Sequence, residues 1–266
     1  MTIRYDLPAA DYHADPAIGS SRAKLVLDSI RLFKDDLDGL IPRTPTASMA
    51  FGTMAHLAVL EPDRFHDQTT TTGPVNPATG KAYGADTKKF AEWQAENPGL
   101  IVVDPSLYVM LERMPKEIRD ALQTLGQSEV SAFAEDNGVL IKCRPDRLIE
   151  DAIYDLKTIN DIDAIDAHIR SYRYWFSAAW YRRVMKIATG IDHSFTLIFA
   201  ESKPPYRWRI VDLSPELIEE GNYYVADVVK KIGLAQEYDE WGDLSPIRVT
   251  AARPVSLGAF DHGEEI

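Results

Sequence analysis

One dipeptide limits the architecture of this chain more than any other feature. Asn137-Gly138 lies between two strand-like runs, 128–135 and 139–149. Asn-Gly is the strongest short hairpin signal, because a two-residue loop of this kind needs positive φ at both positions. With those residues as the loop, position i pairs with 275 − i, and Glu129 falls opposite Asp146. A third strand candidate follows at 152–158, with Glu150-Asp151 as the natural loop before it. Pairing then sums to 301 and sets Asp146 opposite Asp155. The two turns place Glu129, Asp146 and Asp155 in one row across three strands, where opposed Cβ atoms lie roughly 5 Å apart. Strand side chains alternate, so Lys157 shares that face. The opposite face carries Val139, Ile141, Cys143, Tyr154 and Leu156, as a core-facing side should.

Like charges opposed across strands destabilise a sheet, so the acidic row needs an explanation. One reading is a solvated face on which Lys142, Arg144 and Lys157 dilute the acids. The other is that divalent cations remove the repulsion. Carboxylate oxygens are hard ligands suited to Mg²⁺, which binds through one or two carboxylates plus substrate phosphate. Such a site serves phosphodiester hydrolysis, in which the metal lowers the pKa of a bound water. A nearby lysine then stabilises charge that develops in the transition state. Spacing alone leaves both readings open.

The rest of the chain reads as α, then β, then α, then β, then α. Ser20 or Ser21 could cap a helix running to about Asp36, and a second helix covers 47–60, stopped by Glu61-Pro62. Residues 67–84, rich in Thr, Gly and Pro, predict a long surface loop. Helices follow at 86–97 and 105–125, the second open to a kink at Pro115. After the three strand candidates comes a basic helix at 167–191, then a strand pair around Lys203-Pro204-Pro205-Tyr206 and a helix from Ser214 to about Glu237. The acidic tail at 261–266 is expected to fray, within a flexible stretch at 255–266.

Net charge is −12 and the pI about 5.0, which taken alone argues against a protein that coats nucleic acid. Distribution matters more than the sum. Residues 167–191 hold Arg170, Arg173, Arg182, Arg183 and Lys186 without an Asp or Glu, interleaved with six aromatics. They suit either a cationic solvated face or a helix along a phosphate backbone. The single cysteine, Cys143, excludes disulfide frameworks and Cys-ligated clusters, and fits a cytoplasmic setting. The N-terminus lacks the apolar stretch of a signal peptide, and no apolar run approaches the length of a membrane span.

Pro145-Asp146, followed nine residues later by Asp155-Leu156-Lys157, resembles the PD-(D/E)xK nuclease signature, with Glu129 where many members carry an upstream acid. FGTMAHLAVLEPDRF at 51–65 resembles the helix that presents a histidine to the metal in RecB-like and RecE-like exonucleases, here His56. By itself a histidine in an apolar helical run reads as a core residue. YHADPAIGSSRAKLVL at 12–27 and SYRYWFSAAWYRR at 171–183 resemble further segments of the RecE-like exodeoxyribonuclease VIII nuclease domain. The similarity spans about 12–250 in family order. One departure is Ser177-x-x-x-Tyr181, where many relatives have Gln-x-x-x-Tyr; Tyr181 carries over and the glutamine does not.

The resemblance implies a single α/β domain with a central mixed sheet flanked by helices. It implies that Glu129, Asp146, Asp155 and the Leu156 carbonyl, with His56, hold Mg²⁺ (Mn²⁺ substituting), and that Lys157 acts on the attacking water. Ser20, Ser21 and Arg22 would meet a 5′-phosphate, and Arg144, Arg173, Tyr181 and Arg182 would meet DNA. The expected activity is 5′→3′ digestion of linear duplex DNA to leave 3′ single strands for recombination. A ring-shaped oligomer, a single-strand annealing partner and a phage or prophage origin belong to the same expectation. A structure-specific endonuclease or a non-catalytic DNA-binding protein on the same fold are the alternatives.

Overall fold

Both predicted turns form. Asn137 and Gly138 take φ of 49° and 81°, the left-handed pair a tight hairpin requires, and Glu150, opening the second loop, has φ 49°. The computed structural model of the protein describes residues 2–42, 44 and 46–242, so the tail expected to fray lies outside the described residues. The chain begins with β1 (Thr2–Arg4), α1 (Ala9–Ala14), α2 (Ser20–Ala23) and α3 (Ile30–Leu37). Next come α4 (Ala47–Leu60), α5 (Pro62–Gln68), β2 (Thr69–Thr70), α6 (Lys88–Glu96), β3 (Ile101–Val102), α7 (Ser106–Glu112) and α8 (Lys116–Arg119). The strands β4 (Gln127–Ser128), β5 (Ser131–Asp136), β6 (Val139–Cys143), β7 (Arg147–Ile149) and β8 (Ala152–Ile159) follow. The chain continues through α9 (Ile165–Ser171), α10 (Tyr174–Thr189), β9 (Ser194–Glu201), β10 (Trp208–Asp212) and α11 (Pro215–Tyr238).

Register obeys both sums. Ala132 pairs with Cys143 and Ser128 with Arg147, while Arg147 pairs with Tyr154 and Ile149 with Ala152. The strands expected at 128–135 and 139–149 do not run through, however. Glu129 takes a left-handed φ of 55°, and Pro145, which has no N–H to donate, interrupts the facing strand. The ladder therefore divides into a three-stranded sheet, β1-β5-β6, and a five-stranded sheet, β10-β9-β8-β7-β4. The second is the expected mixed sheet, with β8 and β9 parallel and the other neighbours antiparallel.

Helices cover both faces of that sheet, which is why β8 and β9 are apolar on both sides. Ile153, Leu197 and Phe199 pack with Phe176, Trp180 and Val184 of α10 and Val228 and Ile232 of α11. Leu156, Ile198 and Ala200 pack with Val59 of α4, Phe65 of α5, and Leu107 and Met110 of α7. The single core-facing side predicted for Val139, Ile141, Cys143, Tyr154 and Leu156 is thus divided. The first three join the α10 side, and Leu156 and Tyr154 the α4 side. The break at Pro145 is the cause, because face membership does not carry across an interrupted strand.

Three predicted helices are also interrupted. The one expected over 20–36 splits at Ser29, whose Oγ accepts the Arg31 and Leu32 N–H groups at 3.1 and 3.4 Å. Gly19, not a serine, stands at the start of α2. The 105–125 helix breaks before Pro115, and the basic helix breaks at Arg173, where φ is 52°. The helix expected from Ser214 to about Glu237 forms as α11, and Ser214 caps it, its Oγ accepting the Leu217 N–H at 3.3 Å. No helix among the described residues is long and apolar enough to cross a membrane.

Candidate metal centre

Pro145 takes the chain out of the β6 ladder and so frees Asp146 to turn inward. Asp146 Oδ2 accepts the Leu156 N–H at 2.7 Å, and its backbone carbonyl accepts the Glu129 N–H at 3.1 Å. From the other side α4 brings His56, with Nδ1 3.4 Å from Asp146 Oδ1. One ligand atom each from His56, Glu129 and Asp146 lie within 4.8 Å of one another. Asp155 is not one of that trio. It ion-pairs through Oδ2 with Lys157 Nζ, and that ammonium also donates to the Leu156 carbonyl at 3.1 Å. Lys157 therefore sits on two of the oxygens assigned to the metal from the sequence. The expected row of three acids is instead an Asp146-centred trio beside an Asp155–Lys157 pair.

Burial rules out a solvated face. Asp146 is 8% exposed and Asp155 4%. Lys142, expected to dilute the acids, turns the other way and donates to the Tyr12 and Asp15 carbonyls at 2.5 and 2.8 Å. Burial raises the pKa of Glu129, assisted by the neighbouring Asp146 charge. Burial also raises Asp155, against the pull of Lys157. For Asp146 burial acts upward too, but His56, Lys157 and the Leu156 N–H together outweigh it and the pKa falls. Burial opposes charge on His56 and on Lys157, yet the adjacent carboxylates win and both pKa values rise. Three acids and a basic pair thus share a poorly solvated space, an arrangement typical of functional sites.

The donor set suits a divalent cation. Carboxylates and one imidazole converge, and the Asp155 carboxylate is buried beside them with the Lys157 ammonium on its Oδ2. His56, Glu129, Asp146 and Asp155, with the Leu156 carbonyl, would hold the ion.

The residues expected to meet DNA are more scattered. Ser20, Ser21, Arg22, Arg144 and Tyr181 line a pocket of about 350 Å³ that reaches Glu129 and Asp146. Arg22 is bound to Asp36 at 2.7 Å, and Arg144 pairs with Glu129 while donating to the Leu7 carbonyl at 3.0 Å. Arg173 pairs with Asp28 at 2.5 Å, and Arg182 donates to the His193 carbonyl at 2.6 Å. Arg183 pairs with Asp136 and Lys186 with Asp192. The cations of the basic segment are thus largely engaged within the chain, by acids that a local count between 167 and 191 does not include. Sequence reasoning missed Lys24 and Tyr174. Lys24 Nζ lies 5.6 Å and Lys157 Nζ 5.7 Å from the Tyr174 ring centroid. No motif links these positions.

Residues 19–245 match the family model described as a PDDEXK-like domain of unknown function (DUF3799). The fold is similar to the crystal structure of a "putative exonuclease" from Eubacterium rectale, with TM-score 0.62 and 15% identity over 96% of this chain and 99% of that one. Among curated proteins no sequence matches the chain.

Proposed function

The chain belongs to the PDDEXK-like family, and from that premise we propose that it is a divalent-metal-dependent nuclease that digests linear duplex DNA from its ends. The observation that carries the reading is the convergence of Glu129, Asp146, Asp155 and Lys157 with His56 in one buried space. A bound Mg²⁺ or Mn²⁺ would supply a water of lowered pKa and neutralise charge on the phosphate. The chain's own residues set the conditions for that chemistry. The Leu156 N–H orients Asp146 through Oδ2, and Arg144 orients Glu129. Lys157 holds a positive charge where the phosphorane charge would develop, and burial of the site strengthens that interaction.

The finer reading follows the RecE-like resemblance: 5′→3′ digestion leaving 3′ single strands, with Mg²⁺ as the metal. A ring around DNA and a single-strand annealing partner in the cytoplasm complete it. Incubation with Mg²⁺ and two substrates, a linear duplex labelled at its 5′ or 3′ end and a covalently closed circle, tests it. Loss of the linear substrate with the circle intact is expected, with 5′ label released first. Cutting of the circle would replace the end-directed reading by an endonuclease. An inert linear substrate in both Mg²⁺ and Mn²⁺ would leave a non-catalytic binding protein.

A further inference from the structure

Lys24 opens the short 3₁₀ segment, Lys24–Leu27, that follows α2. Its Nζ donates to the Tyr172 carbonyl at 2.8 Å and lies over the ring of Tyr174, which Lys157 shares. Tyr174 opens α10, so the first turn of that helix brings two distant lysines to one aromatic ring. The two cations are unequally provided for. Lys157 has Asp155, and the other cations nearby, Arg22, Arg144 and Arg173, have Asp36, Glu129 and Asp28. Among the described residues no carboxylate pairs with Lys24; its one hydrogen bond is to a carbonyl. The carboxylate whose charge reaches it, Asp155, is already paired with Lys157, and a half-buried ammonium without a counter-ion of its own is costly. Burial first, and the Lys157 charge second, push its pKa down to about 8. An incoming anion would remove that cost. A ring face adds a weak attraction for the cation but no charge to cancel it.

We propose that Lys24 binds a backbone phosphate of the nucleic-acid substrate, beside the one served by Lys157. The inference rests on the nuclease reading and adds to it a substrate-binding residue on the N-terminal segment. Tyr174 would act as the platform that holds both ammonium groups toward the strand.

Lys24→Met tests it, because the unbranched side chain keeps the packing on Tyr174 and loses the charge. Binding of a fluorescent linear duplex is measured in Ca²⁺ at several KCl concentrations, beside digestion by the wild type in Mg²⁺ and thermal melting of each protein. The variant should bind about tenfold more weakly, the scale of one charge-assisted hydrogen bond. Its plot of log affinity against log salt should be flatter by about 0.9, the slope of one neutralised phosphate. Lys24→Arg should restore the slope. Should Lys24→Met not fold, Lys24→Gln, which can still donate to the Tyr172 carbonyl, takes its place under the same criteria. Unchanged affinity and slope in a wild type that does digest DNA would overturn the role of Lys24 alone. So would a lower melting temperature with an unchanged slope, which marks Lys24 as a structural tie. A wild type that neither binds nor digests the duplex would overturn the nuclease reading and this inference with it.

Discussion

The Lys157 ammonium rests on Asp155 Oδ2 and the Leu156 carbonyl, so it competes for oxygens that a metal would use. This separates two substitutions that would otherwise look alike. Asp155→Asn removes a ligand charge and should weaken Mn²⁺ binding in calorimetric titration, with hydrolysis lost. Lys157→Ala frees both oxygens, so it should bind Mn²⁺ as well as the wild type or more tightly. Its rate should still fall by about 10²–10³, as when one transition-state donor is deleted. Weaker metal binding in Lys157→Ala, or full activity in either protein, would break the assignment. Within the chain the spacing of Asp146, Asp155 and Lys157 was legible in the sequence, because alternation along a strand is a local rule. The pairing of Asp146 with His56 was not, because α4 reaches it through long-range packing, with Val59 in one apolar cluster with Leu156 and Ala200.

At the scale of elements, the α10–α11 crossing depends on one glycine. A Cβ at Gly221 would stand 2.7 Å from the Trp175 carbonyl oxygen and 2.8 Å from Ala179 Cβ. Alanine is better than glycine inside a helix by about 1 kcal/mol, but here it must force the helices apart, at about 1–3 kcal/mol. Gly221→Ala should therefore lower the denaturant midpoint. Gly233→Ala in the same helix meets nothing closer than 3.4 Å and should raise it or leave it unchanged. Equal effects would show that the crossing tolerates separation. The turn between β9 and β10 has its own tie. The Arg207 guanidinium and backbone N–H, with the Ile162 N–H, hold buried Glu201 down to about 2 from a usual 4.5. A depressed acid stabilises the fold above its unfolded pKa and loses that contribution as pH falls toward its folded one. Glu201→Gln should thus melt below the wild type at neutral pH, and the gap should close between about 4.5 and 2. A gap independent of pH would mean that the ionised carboxylate contributes nothing.

For the whole molecule, net charge is −12 and two acids and a histidine converge beside buried Asp155, so a bound divalent cation should stabilise the fold by mass action. At a concentration 100 times Kd the gain is about 2.7 kcal/mol. The melting temperature of the wild type should climb with Mg²⁺ or Mn²⁺, and Asp146→Asn, which removes the acid shared by His56 and Glu129, should abolish the climb. An equal climb in both proteins would place the ion elsewhere. The sequence alone determined the two turns, the pairing sums of 275 and 301, the extent of α11 and the nuclease signature, since each depends on the local preferences or alternation of residues close together in the chain. Only the tertiary structure decided that the strands break at Glu129 and Pro145, and that the acidic row is buried rather than solvated. It also decided that the basic segment is largely neutralised by Asp28, Asp136 and Asp192, and that Lys24 and Lys157 both reach the Tyr174 ring. Burial and ion pairing depend on which distant element arrives at a surface, and no local pattern encodes that arrival.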